Sequence, residues 1–225
     1  MGLDMYIDKF PRLGLTPAQM NVADSYFEWE VHNMDKPNDK CTFEEWVGEK
    51  RAKMLVAEPI LDTIRPFVKM SYLAWDTEHN YPQSGISQNV AYWRKANQIH
   101  QYFVDTVQDG IDDCDYHDEV SKEVLEDLLD KCELIKKKCN LVDGTVVNGY
   151  KIENFETIPI LEDGKVMKNT NVAEELLPTC SGCFFGGTDY DEFYMDDIDN
   201  TIDQINKILE TTDFDKEVLY YVSSW

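Results

Sequence analysis

The stretch Tyr92-Trp93-Arg94-Lys95-Ala96-Asn97-Gln98-Ile99-His100, continued through Phe103 and Val107 to Gly110, decides how the chain is organised. Tyr92, Ala96, Ile99, Phe103 and Val107 recur at the spacing of one helical face, which predicts a helix from about Gln88 to Asp109, capped by Gly110. Trp93, Asn97, His100 and Val104 form a second stripe beside the first. Arg94, Gln98, Gln101 and Asp105 point outward in the same scheme. Two adjacent occupied stripes put this element at the centre of the fold.

Towards the N-terminus, Leu3, Met5 and Ile7 alternate with Asp4 and Tyr6, the period of a strand. Thr16-Pro17-Ala18-Gln19 opens a helix, with Thr16 as N-cap, Pro17 in the first helical position and Gln19 closing a capping box. Thr42 to Glu45 is a second box, starting a helix expected to run to about Ala57. Phe67–Trp75 suits a strand and Tyr81–Gly85 a loop. Towards the C-terminus, Ser121 N-caps a helix to about Cys139 that turns Leu125, Leu128, Leu129, Cys132, Ile135 and Cys139 inward. Residues 141–168 predict a β excursion with turns at Asp143-Gly144, Asn148-Gly149 and Glu162 to Lys165. A short helix from Asn171 follows, then one from Tyr190 that buries Tyr194, Ile198, Ile202, Ile205 and Leu209, and a last strand at Val218–Val222. The expected class is α+β: a helix-rich single domain over 1–225, with a small mixed or antiparallel sheet from the termini and residues near 183. Residues 12–80 and 141–170 are candidate elaborations.

The 225 residues carry a net charge of −23, distributed unevenly. Residues 1–95 hold 11 Lys/Arg and 14 Asp/Glu, and residues 96–225 hold 10 and 30. Such a field repels nucleic acid and anionic membranes and attracts basic protein surfaces. No apolar run is long enough to span a bilayer. The start lacks the basic and apolar blocks of a signal peptide, and Tyr6 stands where a myristoylation signal has Ser or Thr. A cytoplasmic protein with reduced thiols is the expectation.

Four groups of residues carry chemistry. The first is Trp93, Arg94, Lys95, Asn97 and His100. Asn97 and His100 share a face and could bind a ligand beside a Trp93 wall, and Arg94 and Lys95 are the only Lys/Arg between Lys69 and Lys122. The plainer reading is that Trp93 packs and the polar pair bonds backbone. The second, Cys114-x-x-His117 with Cys180-x-x-Cys183, has the spacing of a tetrahedral zinc site, with Gly182 and Tyr116 only partial support for the glycines or aromatics that shape each knuckle. Third, Ser181 to Asp189 places Gly186-Gly187 before a helix, where backbone amides could cradle an anion, although Asp189, Asp191 and Glu192 would repel one. The fourth comprises acids, Asp112, Asp113, Asp191, Glu192, Asp196 and Asp197, which read either as a solvated face or as a surface for a basic partner. No Walker lysine, dinucleotide fingerprint, EF-hand loop or Gly-x-Ser-x-Gly is present, so no cofactor is expected.

Met1 to Tyr6, Tyr92 to Asn97 with His100, Asp112-Asp113-Cys114, Leu177-Pro178, Ser181-Gly182 with Phe184-Phe185-Gly186, Asp189 to Glu192 and the terminal Ser224-Trp225 together resemble an uncharacterised family frequent in bacteriophages, prophages and gut bacteria. Cys180 and Cys183 depart from its pattern, and residues 12–80 and 141–170 lie outside the likeness. The resemblance implies a phage or mobile-element setting in a bacterial or infected cell and brings no established activity. With the charge imbalance, it leads to the expectation of a non-enzymatic accessory or counter-defence protein that binds a host protein through an acidic surface. The alternative is a small-molecule or nucleotide-handling protein, enzyme or not, with a pocket between the Trp93–His100 stretch and the Ser181–Asp189 turn. A concave pocket joining those two stretches favours the second reading, and a flat acidic face the first.

Overall fold

The N-terminal strand β1 (Asp4–Pro11) has a hydrogen-bonded neighbour on each edge, and the rest of the chain is layered over its two faces. The computed structural model describes residues 2–35, 38–53, 61–62, 64–72, 82–153, 155–182 and 185–225. After β1 come α1 (Pro17–Asp35), α2 (Phe43–Val47), α3 (Glu49–Ala52), a 3-10 turn (Arg65–Phe67), β2 (Lys69–Tyr72), β3 (Pro82–Gly85) and β4 (Gln88–Arg94). Then follow α4 (Asn97–Val107), α5 (Lys122–Lys138), β5 (Leu141–Glu153), β6 (Glu156–Met167), α6 (Asn171–Leu176), α7 (Glu192–Thr211) and β7 (Glu217–Ser224). The class is α+β, with antiparallel pairing throughout these strands.

The main sheet has the order β4-β1-β7. β7 pairs with β1 from Asp4↔Ser224 to Pro11↔Glu217, and β4 pairs with it from Asp4↔Arg94 to Lys9↔Gln88. Side chains alternate across a strand, so a strand with both faces covered must be apolar throughout. β7 meets that demand: Leu219 and Tyr221 enter one core, and Val218 and Tyr220 enter the other. The larger core packs Leu3, Met5 and Ile7 against α4, α5 and α7, with the Tyr221 ring stacked on Phe103 at 4.5 Å between centroids. The smaller one joins Phe10 to Met20, Ala23 and Phe27 of α1. Among the described residues no helix is long and apolar enough to cross a membrane.

Local signals account for most element boundaries. The Gln19 backbone N–H donates to Thr16 Oγ1 while Gln19 Oε1 accepts from the Thr16 N–H, and Thr42 and Glu45 do the same. Ser121 accepts from the Val124 N–H at the start of α5. Gly110, at φ +75°, donates to the Val104 carbonyl and closes α4. Gly48, at φ +84°, ends α2 after five residues, so the helix expected to continue to Ala57 is interrupted, and residues 54–60 lie outside those described.

Four expectations are corrected. The helix from Gln88 is a strand, β4, followed by a shorter helix, α4. Ala91 and Trp93 are buried while Tyr92 and Arg94 face out, a period of two. Lys95, at φ +63°, then reverses the chain into α4. Tyr92 is 43% exposed rather than inward, whereas Ala96, Ile99, Phe103 and Val107 are buried as expected. The sheet takes its third strand from β4 and not from residues near 183; residues 179–182 and 185–190 form no strand, and Cys183 and Phe184 lie outside those described. Pro82–Gly85 is a strand paired with β2 rather than a loop. Residues 141–167 form one long hairpin, in which Gly144 pairs with Gly164 inside the ladder and Asn148-Gly149 sits at an irregularity in register. A Cβ on Gly144 would lie 2.7 Å from Val166 Cγ2, so close approach within the ladder, rather than a turn, explains this glycine.

Lys95 carries a side chain in a backbone region that favours glycine at a cost near 1 kcal/mol. Lys95→Gly is expected to raise stability by up to about 1 kcal/mol, and Lys95→Val to lower it by about 1–2 kcal/mol because a β-branched residue tolerates positive φ worst. Urea unfolding of the two variants checks both signs.

Candidate functional site

The strand-to-helix reversal at Lys95 builds one side of a cleft. Its N–H donates to the Leu3 carbonyl at 2.8 Å, and its own carbonyl accepts from the Asn97 N–H at 2.9 Å. The segment after Cys180 is fastened to this corner by one buried amide. Asn97 Nδ2 donates to the Gly187 and Phe185 carbonyls at 2.8 and 3.2 Å, and Asn97 Oδ1 accepts from the Cys180 N–H at 2.9 Å. Gly186, at φ +99°, presses on the same corner: a Cβ there would stand 2.9 Å from the Lys95 carbonyl oxygen. Only glycine fits that contact without a shift.

The other walls come from α7 and the hairpin. Asp191 N-caps α7 by accepting from the Phe193 and Tyr194 N–H groups. Gly149, at φ +107°, lies where the β5–β6 register shifts, and Val147 to Tyr150 close the cleft on that side. The resulting cavity of about 630 Å³ is lined by Arg94 and Lys95, by Gly186, Gly187 and Asp189, and by Phe193, Asp196 and Asp197, with Gln98 and Thr179 between them. This is within the size range of small-molecule sites.

The electrostatics of the cleft are mixed, with an acidic excess. Burial raises the Asp197 pKa to about 6; the 3.1 Å hydrogen bond from Gln98 Nε2 opposes this, and Asp196 and Asp191 push it further up. Burial also raises Asp191, against the two backbone N–H groups that favour its charge. Arg94 stays largely exposed, 4.0 Å from Asp4. A carboxyl group near neutrality in a cleft can both give and take a proton at physiological pH.

Five of the nine residues expected to bind a ligand line this cleft: Arg94, Lys95, Gly186, Gly187 and Asp189. The others do not. Trp93 is 1% exposed and donates its indole N–H to Thr201 Oγ1 at 2.9 Å, so it is a core residue rather than a stacking wall. Asn97 is consumed by backbone bonds, and Ser181 is exposed outside the lining. His100 is 1% exposed behind the cleft. Its Nδ1 sits 2.7 Å from the Tyr221 hydroxyl, and its Nε2 lies 3.2 Å from Asp112 Oδ1 but off the line of a hydrogen bond. Phe185 meets the imidazole edge-on.

Among the described residues no group of three or more His, Cys, Asp or Glu is arranged to hold a metal ion. Of the zinc set, Cys183 lies outside those residues, Cys180 donates to the Asn97 carbonyl, and His117 pairs with Asp113 at 2.8 Å. Cys114 is exposed. The six acids expected to meet a partner are split. Asp191 is buried as a cap, which removes it from any docking face. Asp112 accepts from the Trp225 indole, and the Asp113 backbone carbonyl accepts from Ser223 Oγ, so both also anchor the chain end. Asp196 and Asp197 line the cleft, and Glu192 is half-buried beside it.

Gln98, Phe193, Thr179 and Val147 to Tyr150 are cleft residues that sequence reasoning did not single out. The Asn148-Gly149 dipeptide was the available signal, since an isolated glycine within a strand pattern marks a bulge as readily as a turn. Comparison of the chain with protein-family models, with curated proteins and with solved structures finds no match.

Burial lowers the His100 pKa from its ordinary value, and the nearby Asp112 carboxylate only partly offsets this. Below about pH 6.5 the unfolded chain then binds a proton that the folded one resists, so this residue's contribution to stability is lost as pH falls from about 7 towards 5. His100→Gln is expected to have a shallower fall over that window, by up to roughly 1.4 kcal/mol per pH unit for one proton. Denaturant titrations of both proteins from pH 7 to 5 measure the difference.

Proposed function

We propose that the protein binds a small polar ligand bearing a cationic group in the cleft between the Lys95 corner, the hairpin and the start of α7. One observation carries this reading: a single concavity of ligand size joins Arg94 and Lys95 to the Gly186–Asp189 turn. Asp189, Asp191, Asp196 and Asp197 outnumber the two basic residues, so a phosphate-rich ligand meets net repulsion and a cation net attraction. The exposed rings of Phe193 and Tyr150 offer faces for a cation or a flat apolar group. Arg94 and Lys95 would take an anionic substituent of the same molecule. If the bound molecule is also transformed, Asp197 is the residue suited to move a proton, with Gln98 positioning it.

A second reading has its own support. The protein would act in a phage or prophage setting as a non-enzymatic accessory or counter-defence factor that holds a basic host protein. The concentration of acidic residues in 96–225 favours it. Asp112, Asp113, Glu192 and Asp196 are the acids left for such a face once the buried Asp191 and the cleft carboxyl Asp197 are removed.

Thermal-shift and calorimetric titration against cationic, zwitterionic and phosphorylated small molecules separates these readings. Cation-bearing compounds are expected to stabilise the protein, and phosphorylated ones to leave it unchanged. Asp197→Asn should weaken the best binder by about tenfold or more, in keeping with loss of a charge-assisted contact of ~1.5–3 kcal/mol. Wild-type affinity should fall as pH drops through about 6, where Asp197 takes up a proton. Without ligand, Asp197→Asn should gain stability above that pH, because there the buried wild-type carboxyl must ionise. Absence of any cation-dependent shift, or unaltered affinity in Asp196→Asn and Asp197→Asn, would overturn the cleft reading.

A further inference from the structure

The distal half of the β5–β6 hairpin leaves large apolar side chains in solvent. Tyr150, Ile152 and Leu161 are 64%, 79% and 61% exposed, and Phe155 near the tip is fully exposed. Register and pleat place several of these on one face. Tyr150 lies opposite Pro159 and Ile152 opposite Thr157, and Leu161 is two residues from Pro159, so all five share a side of the ribbon. The other side carries Ile158 and Ile160 together with three acids, Glu153, Glu156 and Glu162, against one base, Lys151, which is itself tied to Glu153 at 2.8 Å. An isolated two-stranded ribbon is marginal in water, and contiguous exposed apolar surface on a folded protein marks an interaction site.

The two outer edges differ. The base of β6 is covered: Met167 donates its N–H to the Tyr190 carbonyl, and Val166 bridges Asp191. Farther out, Pro159 removes a donor from β6. β5 has no proline over its 13 residues and, among the described residues, pairs with β6 alone. Its outer edge is therefore an open row of backbone donors and acceptors, a template for one more strand.

We infer that the outer edge of β5 receives an extended segment of another protein in which apolar residues alternate with Lys or Arg. Period two is what the ribbon demands. An added strand lays its odd residues beside Tyr150 and Ile152 and its even residues beside Lys151 and Glu153, with Glu156 and Glu162 one strand farther on the same side, so that side is negative on balance and positive charge is complementary. A second copy of this chain is disfavoured as occupant, since it would bring the same glutamates and a net charge of −23 to the same edge. The inference differs from the cleft reading in its macromolecular occupant and shares only Tyr150 with it; Ile152, Leu161 and the outer edge of β5 beyond Tyr150 lie outside the cleft lining.

The test uses the full-length protein and a labelled peptide of roughly nine residues, the length of a long strand, with Val and Lys alternating. Controls are its Glu-for-Lys counterpart and a version with a central proline. Fluorescence anisotropy should show the Lys peptide binding about tenfold or more tighter than either control. Hydrogen exchange should show new protection along β5. Ile152→Lys with Leu161→Lys should abolish binding while the unfolding midpoint of the protein is retained, and Asp197→Asn should bind the peptide as wild type does. Equal binding of the Lys and Glu peptides, or undiminished binding by the double variant, would overturn the proposal. So would β5 protection that instead tracks protein concentration and dimer formation, because the edge would then belong to a second copy.

Discussion

One carboxamide ties the candidate site together. Asn97 occupies the first turn of α4, is 1% exposed, and hydrogen-bonds the Cys180 N–H and the Phe185 and Gly187 carbonyls. A helix start has spare backbone donors, but Asn97 uses its side chain to organise a different segment. Each of those backbone groups would cost about 1–3 kcal/mol if buried without a partner. An amide is the side-chain type that can serve both a donor and two acceptors from one position. Aspartate would lose the donors, and leucine would lose everything. The position of Gly186 and Gly187 against Lys95, and with it one cleft wall, follows from this residue.

That dependence explains why the site was only half legible. The residues Arg94, Lys95, Gly186, Gly187 and Asp189 were recognisable by type, and they do meet in one cleft. Their companions Trp93, Asn97 and His100 were grouped with them through a helical period that does not exist at 88–95. In an 88–109 helix, Tyr92, Ala96, Ile99 and Phe103 would lie on one stripe, yet Ala91 and Trp93 at period two fit the burial better. The overlap arises because the apolar residues just after Lys95 satisfy the helical pattern, and extending it backwards by a turn costs nothing on paper. The evidence against it was local: Val90, Tyr92 and Trp93 are β-formers. By contrast, α5 was readable in full because its cap and period agree, and the start of α1 was readable from the Thr16–Gln19 box.

The charge imbalance also changes meaning once folded. Many acids of residues 96–225 have work inside the molecule. Asp191 caps α7, Asp112 receives the Trp225 indole, Asp127 bonds the Tyr102 hydroxyl and Lys131, and Asp199 meets Lys136 from α5. Exposed pairs of this kind contribute little each, roughly 0–1 kcal/mol, so they place helices more than they stabilise them. Of the others, Asp189, Asp196 and Asp197 meet at the cleft, and Glu153, Glu156 and Glu162 share one side of the hairpin. A net charge is therefore a poor guide to an interaction face; the position of the unpaired part is the informative quantity.

The His100 environment links these layers. Its Nδ1 faces the hydroxyl of Tyr221, a phenol held protonated by burial. A protonated phenol has its hydrogen available for the imidazole Nδ1, which leaves the imidazole proton on Nε2, 3.2 Å from the Asp112 carboxylate but off the line of a hydrogen bond. Tyr221 of the last strand, His100 of α4 and Asp112 thus lie side by side, and Trp225 bonds the same carboxylate. Buried between Phe185 and Tyr221, with no water-facing surface to speak of, the imidazole is placed to orient neighbours rather than to meet a ligand. Histidine partners the Tyr221 hydroxyl without the formal charge that a lysine would bring into the core, and a leucine would leave that hydroxyl buried without its partner.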